Sequence, residues 1–187
     1  MRKIRGFKLK LRVKEIQRRA KKARIDLVPL GLGAEPELQT WLDAVSAKAV
    51  PAVLYDSFSA DEAGTLSPMP GLACSLAIAT LGPDLDVFAE GLAPETAPLF
   101  KVTATAALEE AGRFVLTLLE DEAAQERCAL SPIHYLEKRE DIAAALAKLE
   151  GHKIGVALGE QSVRPANSTA FSVSWLARSK SRAKAQP

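Results

Sequence analysis

Cysteine is nearly missing from these 187 residues, with Cys74 and Cys128 the two present, well separated. A disulfide-stapled framework is thereby excluded. With no CxxC pair, and His134 and His152 as the two imidazoles, no zinc-ligand spacing can be assembled. Aromatic residues make up 5% of the chain, too few for the interleaving of aromatic and basic groups that stacks single-stranded nucleic acid. No long apolar run follows the basic N-terminus, so neither a signal peptide nor a membrane span is expected, and the cytoplasm is the default location. The common chemistry motifs are missing as well: no GxGxxG behind a strand, no P-loop, no HExxH and no GxSxG.

What is present has the composition of a globular protein, 48% hydrophobic and 26% charged, at a length suited to one domain with a sizeable core. The net charge of +2 conceals an uneven distribution. Residues 1–24 carry twelve Lys/Arg and one acid, Glu15, and residues 178–187 carry four more basic groups and no acid. The intervening body therefore holds nine basic and 22 acidic groups, a net charge of −13. Two readings follow: the basic arm packs on the acidic body, or it offers a site to a polyanion or an acidic partner protein.

Hydrophobic periodicity supplies the elements. Phe7, Leu9, Leu11 and Val13 alternate with Lys8, Lys10 and Arg12, which predicts a strand with one wet, basic face over 7–13. Residues 14–24 follow as a short helix with Ile16, Ala20 and Ala23 inward. Because the strand carries apolar side chains, the N-terminus belongs to the fold. Pro36 opens a helix to about residue 49, and a strand is expected over 51–58. Residues 59–71 read as a polar loop. The apolar run 72–80 has the length of a buried strand, although periodicity alone is equally compatible with a helix.

After the Leu81-Gly82-Pro83 break a helix covers 84–92, with Asp84 near its positive end. The longest helix is expected over 98–119, its first half rich in Ala and Thr so that a neighbour can pack closely. Residues 128–135 read as a loop. A helix over 141–149 is closed by Gly151 in a left-handed cap. Residues 153–158 and 170–176 then alternate with period two and read as two strands joined by a polar turn. Residues 179–187 form a small basic tail expected to be disordered. The resulting expectation is an α+β domain over 1–178, with helices on a twisted, mainly antiparallel sheet.

Single residues give little chemistry. Cys128 beside Arg127 has the makings of a reactive thiol, against the commoner reading of a small buried hydrophobe. His134 beside Tyr135 has no second convergent ligand.

Several segments together resemble the activation (reactivation) domain family of cobalamin-dependent methionine synthase. They are the apolar strand with its Thr-Leu-Gly element and acidic helix start (76–86), the small-residue helix 103–112 with Glu109 and Glu110, the Leu-Ser-Pro loop at 130–132, and the Lys-Ile-Gly-Val hairpin from 153 to 169. Their common order over roughly 50–177 carries the resemblance; the N-terminal part fits it less closely. It implies a domain that binds S-adenosylmethionine and docks on a cobalamin-carrying corrinoid protein or methyltransferase while a reductase supplies an electron. The cobalamin stays on the partner, and this chain is at most an accessory component, with no catalytic residue of its own. By position, the resemblance implies Glu110 (or Glu109), Ser131, Pro132, Tyr135, Glu160 and Ser162 as ligand contacts, lining one cleft. The place of the family's loop arginine falls near Ala129, and Arg127 replaces it only if the loop shifts. The alternative is a non-catalytic module whose basic N-terminal strand and helix contact nucleic acid or an acidic protein.

Overall fold

The computed structural model describes residues 1–160 and 162–178. Among the described residues eight strands occur: β1 (Arg2–Arg5), β2 (Ala52–Ser59), β3 (Ala73–Thr80), β4 (Cys128–Leu130), β5 (His134–Tyr135), β6 (Ala157–Leu158), β7 (Val163–Arg164) and β8 (Ser168–Ala177). The helices are α1 (Val13–Lys22), α2 (Glu35–Lys48), α3 (Ala60–Ala63), α4 (Pro83–Glu90), α5 (Ala97–Gln125) and α6 (Arg139–Lys148). The protein is α+β. Its main sheet is antiparallel in the order β1-β2-β3-β8-β4, with β5 sharing the outer edge of β8.

Two layers of helix cover this sheet because its central strands are apolar on both faces. On β3, Cys74, Leu76 and Ile78 face Ala145, Leu146 and Leu149 of and beside α6. The alternate residues Ala77 and Ala79, with Phe171, Val173 and Trp175 of β8, face Ala111, Val115, Leu119 and Ala123 of α5. That four-residue spacing lays one stripe of α5 along the sheet. The small residues of its first half serve other neighbours, as the composition predicted. Leu99 and Ala106 pack with Ile16 and Ala20 of α1 and with Leu38 and Leu42 of α2. Ala104 and Ala107 pack with Val45, Leu81 and Leu85.

Four sequence expectations need correction. The alternating segment 7–13 contains no paired strand; Phe7, Leu9 and Leu11 pack inward while the chain runs free of the ladder into α1. The edge strand is the preceding β1, whose single partly buried apolar residue is Ile4. The strand expected over 153–158 is mostly a 3-10 turn (Gly151–Ile154) followed by a left-handed Gly155 at φ +75°, and its remnant β6 pairs with β7. The strand at 170–176 belongs instead to β8, hydrogen-bonded to β3 in the middle of the main sheet. Finally, the left-handed residue after α6 is Glu150, at φ +52°. Gly151 is needed for close approach, since a Cβ there would lie 2.5 Å from Leu146 Cδ2 and 2.8 Å from the Val156 carbonyl oxygen.

The predicted loop 128–135 holds β4 and β5 with a bulge between them. Pairing runs Leu130↔Trp175 and then His134↔Ser172, so the edge strand carries one residue more than β8 across this stretch. The tail 179–187 and Gln161 lie outside the described residues. Among the described residues no helix is long and apolar enough to cross a membrane.

Candidate functional site

The densest set of charged side chains gathers where α1 crosses the middle of α5. Arg19 donates through Nη1 and Nη2 to Glu109 Oε1 (3.0 Å) and Oε2 (2.6 Å), and through Nε and Nη2 to Glu15 Oε1 (3.0 and 2.7 Å). The bond to Glu109 is the two-pronged fork that guanidinium and carboxylate planes favour. Arg113 donates to Glu110 Oε2 at 3.0 Å and stands 4.0 Å from Glu15. The local sequence builds this arrangement: Glu15 and Arg19 are one turn apart on α1, and Glu110 and Arg113 three residues apart on α5.

Tyr135 reaches the same place from the edge strand. Its ring meets Phe171 edge-on at 5.9 Å. A Cβ on Gly112 would lie 3.2 Å from the Tyr135 hydroxyl and 3.3 Å from Ile133 Cδ1, so the glycine makes room for the phenol against the helix.

These contacts shift the titrating groups. The hydrogen bonds from Arg19 hold the Glu109 carboxyl below the usual carboxylate range, and the bond to Glu109 in turn raises Arg19. Partial burial pushes the Tyr135 phenol up, and the negative charge of Glu109 adds to this. The paired groups are three carboxylates (Glu15, Glu109, Glu110) and two guanidiniums, and Lys8, Lys10 and Arg12 line the groove beside Glu15 and Glu110, so both signs of charge are present.

The residues implied by the resemblance do not line one cleft. Tyr135 lies against α5 at Gly112, which is one turn from Glu109 and next to Arg113 in the chain, and the charges of Glu109, Arg113 and Arg19 reach its phenol. Glu110 lies two positions from Gly112 and so points away from Tyr135 around the helix. It lines a groove of about 450 Å³ with Phe7, Lys10, Arg12 and Phe114. Ser131 is buried, accepting from the Ser174 N–H (2.9 Å) and donating to the Pro132 carbonyl (3.0 Å), so it fastens the bulge. Pro132 is exposed beside it. Glu160 and Ser162 stand at the tip of the β6–β7 hairpin, whose Leu158 and Val163 pack with the α6 cluster, on the sheet face opposite α5. Arg139 holds that hairpin through the Gly159 carbonyl at 2.8 Å. Asp86, at the acidic helix start, accepts from Ala166 N (2.6 Å) and Asn167 Nδ2 (2.7 Å) and is an anchor for the chain.

Sequence reasoning missed Arg19 and Arg113. The signal for them was modest: a Glu-x-x-x-Arg step on an amphipathic helix and a Glu-x-x-Arg step on the longest one. Arg127, the substitute arginine considered from the sequence, follows the end of α5, about 20 Å along the helix from Gly112. Of the other candidates, Cys128 is buried, and burial raises the thiol of Cys74. His134 is exposed. No group of three or more His, Cys, Asp or Glu that could hold a metal ion occurs among the described residues.

The basic arm is only partly neutralised by the body. Of the twelve Lys/Arg in residues 1–24, Arg2 (with Glu122) and Arg19 form ion pairs; the other ten form none among the described residues. No protein-family model matches this chain, and no curated protein matches it.

Proposed function

We propose that this chain is an accessory binding domain that supports reductive reactivation of a corrinoid-dependent methyltransferase by holding S-adenosylmethionine at the α1–α5 crossing. The observation that carries the reading is the seating of Tyr135 on α5 at Gly112, one turn from the Glu109–Arg19 fork and next to Arg113. The resemblance reaches Glu109 through its helix 103–112 and Tyr135 through the region that follows its Leu-Ser-Pro loop at 130–132. The donor set suits the ligand chemically. S-adenosylmethionine carries a sulfonium, an ammonium and a carboxylate, and the site offers carboxylates and guanidiniums to groups of both signs. Glu109 is the group to face the cations, Arg113 the group to take the carboxylate, and the exposed side of Tyr135 a platform for the adenine. When bound, the ligand supplies the methyl group; the cobalt that accepts it belongs to a partner. This chain's residues contribute position and electrostatics.

Calorimetric titration with S-adenosylmethionine tests the proposal. Binding near the micromolar range is expected, weakened about tenfold or more, roughly 1.4 kcal/mol, by Glu109→Gln, Arg113→Ala or Tyr135→Ala. Glu160→Ala, on the opposite face of the sheet, is expected to leave the affinity unchanged. Absence of binding at millimolar ligand, or loss of binding in Glu160→Ala alone, would overturn it.

A second reading, a non-catalytic module that takes an acidic protein or nucleic acid on its N-terminal segment, is favoured by the ten cations without ion-pair partners. The two readings are compatible if the acidic body is the ligand-holding part and the arm is the docking part.

A further inference from the structure

On the flank of α1 away from Phe7 and Glu110, α1 and the first turns of α5 enclose an open groove of about 680 Å³. We propose that this groove is a binding site for a small amphipathic anion, an aliphatic body bearing a carboxylate or phosphate head. Its volume lies within the range of small-molecule sites, roughly 300–1,000 Å³. Its walls divide by chemistry. Arg18, Lys22 and Lys101 supply three cations, and Ile25, Pro98 and Val102 supply the apolar floor.

No acid lines the groove, and none of these three cations makes an ion pair among the described residues. Arg19, on the rim, differs: its guanidinium is already committed to Glu15 and Glu109. The spacing is that of two helix faces turned toward each other. Arg18 and Lys22 are four residues apart on α1, and Pro98, Lys101, Val102 and Thr105 follow the three- and four-residue steps of one face of α5.

The end of α5 reinforces the charge argument. A helix of 29 residues begins here with no acid in its first turn and a lysine in the next. Helix N-termini favour negative charge, so both choices leave this end electropositive. The nearest acid before it in sequence, Glu95, is not among the lining residues. Lys22 also lies in the last turn of α1, where a cation is favoured, and Arg18 and Lys101 are exposed.

The class of ligand follows from what each alternative leaves unsatisfied. A purely hydrophilic ion gains nothing from Ile25, Pro98 and Val102. A neutral hydrophobe leaves three cations without a counter-charge. A nucleic-acid base finds no aromatic side chain in the groove on which to stack.

The test is calorimetric titration of the full chain with octyl phosphate below its micelle concentration, with octyl glucoside and inorganic phosphate as controls. Octyl phosphate is expected to bind at least about tenfold more tightly than either control. The double substitution Arg18→Ala/Lys101→Ala is expected to weaken it by about tenfold or more, and Val102→Asp to remove binding, each with an unchanged circular dichroism spectrum. Tyr135→Ala is expected to have no effect, which separates this groove from the S-adenosylmethionine site. Equal affinity for octyl glucoside or inorganic phosphate, an unaffected double variant, or binding confined to phosphatidylglycerol vesicles would overturn the proposal.

Discussion

Ser131 occupies a position that the resemblance assigns to ligand contact, and its hydroxyl is engaged by backbone on both sides. Replacing it with alanine removes the acceptor for the buried Ser174 N–H. A buried donor left without a partner costs about 1–3 kcal/mol, so Ser131→Ala is expected to lower the unfolding free energy by that much, read as a lower urea midpoint at an unchanged m-value. An unaltered midpoint would return the residue to the list of ligand contacts. The same scale separates what could be read in advance from what could not. A serine beside a proline looks alike in a binding loop and in a bulge; which one it is depends on β8, more than forty residues further along. Gly151 and Glu150 show a similar limit. Either residue could have taken the left-handed position after α6. The choice was made by Leu146 and the Val156 carbonyl, which leave no space for a Cβ at 151.

Among the elements, β2, β3, α2, α4 and α6 were legible because each carries its own periodicity or a continuous apolar run bounded by Pro or Gly. The two N-terminal errors share one cause. Alternation records which side of an extended chain meets the core; it does not say whether the backbone finds a ladder partner. Residues 7–13 satisfy the first condition only, whereas β1 satisfies the second with Arg2, Lys3 and Arg5 around a single apolar residue. Charged side chains suit β1 to an open sheet edge, where they discourage pairing with another molecule. The segment still holds the fold: Phe7 stacks on Phe114 at 4.4 Å, and Leu9 and Leu11 contact the α5 clusters. Deleting residues 1–12 is therefore expected to lower the thermal midpoint by more than 10 °C, or to abolish cooperative unfolding, as followed by calorimetry. At about 4 °C per kcal/mol this corresponds to roughly 2–3 kcal/mol, the cost of exposing one or two large side chains. A midpoint within 2 °C, about 0.5 kcal/mol, would make the arm a dispensable tail.

At the scale of the whole molecule the charge is separated, and the structure leaves most of the arm's share facing solvent. Binding to heparin is expected in spite of the net charge of only +2. Its logarithmic dependence on salt should fall by roughly one unit for each cation removed. Replacing Lys14 and Lys21 with alanine, both exposed on α1, is expected to reduce the slope by about two. A slope near zero in the parent protein would leave the arm without a polyanion role. The candidate ligand site was only half legible for a reason of the same scale. Glu109 and Tyr135 could be brought forward by resemblance, but Arg19 is ninety positions from Glu109 in the chain and becomes its neighbour only when α1 lies across α5.

The position of β8 has a temporal consequence. It is the last described strand in the sequence, yet it is interior to the sheet, with β3 on one side and β4 and β5 on the other. Until residues 168–177 have left the ribosome, β3 lacks a partner along one whole edge and α5 lacks Phe171, Val173 and Trp175 beneath it. The nascent chain thus carries its two main apolar faces unfinished until β8 emerges. A chaperone that shields exposed strand edges has most to do in that interval.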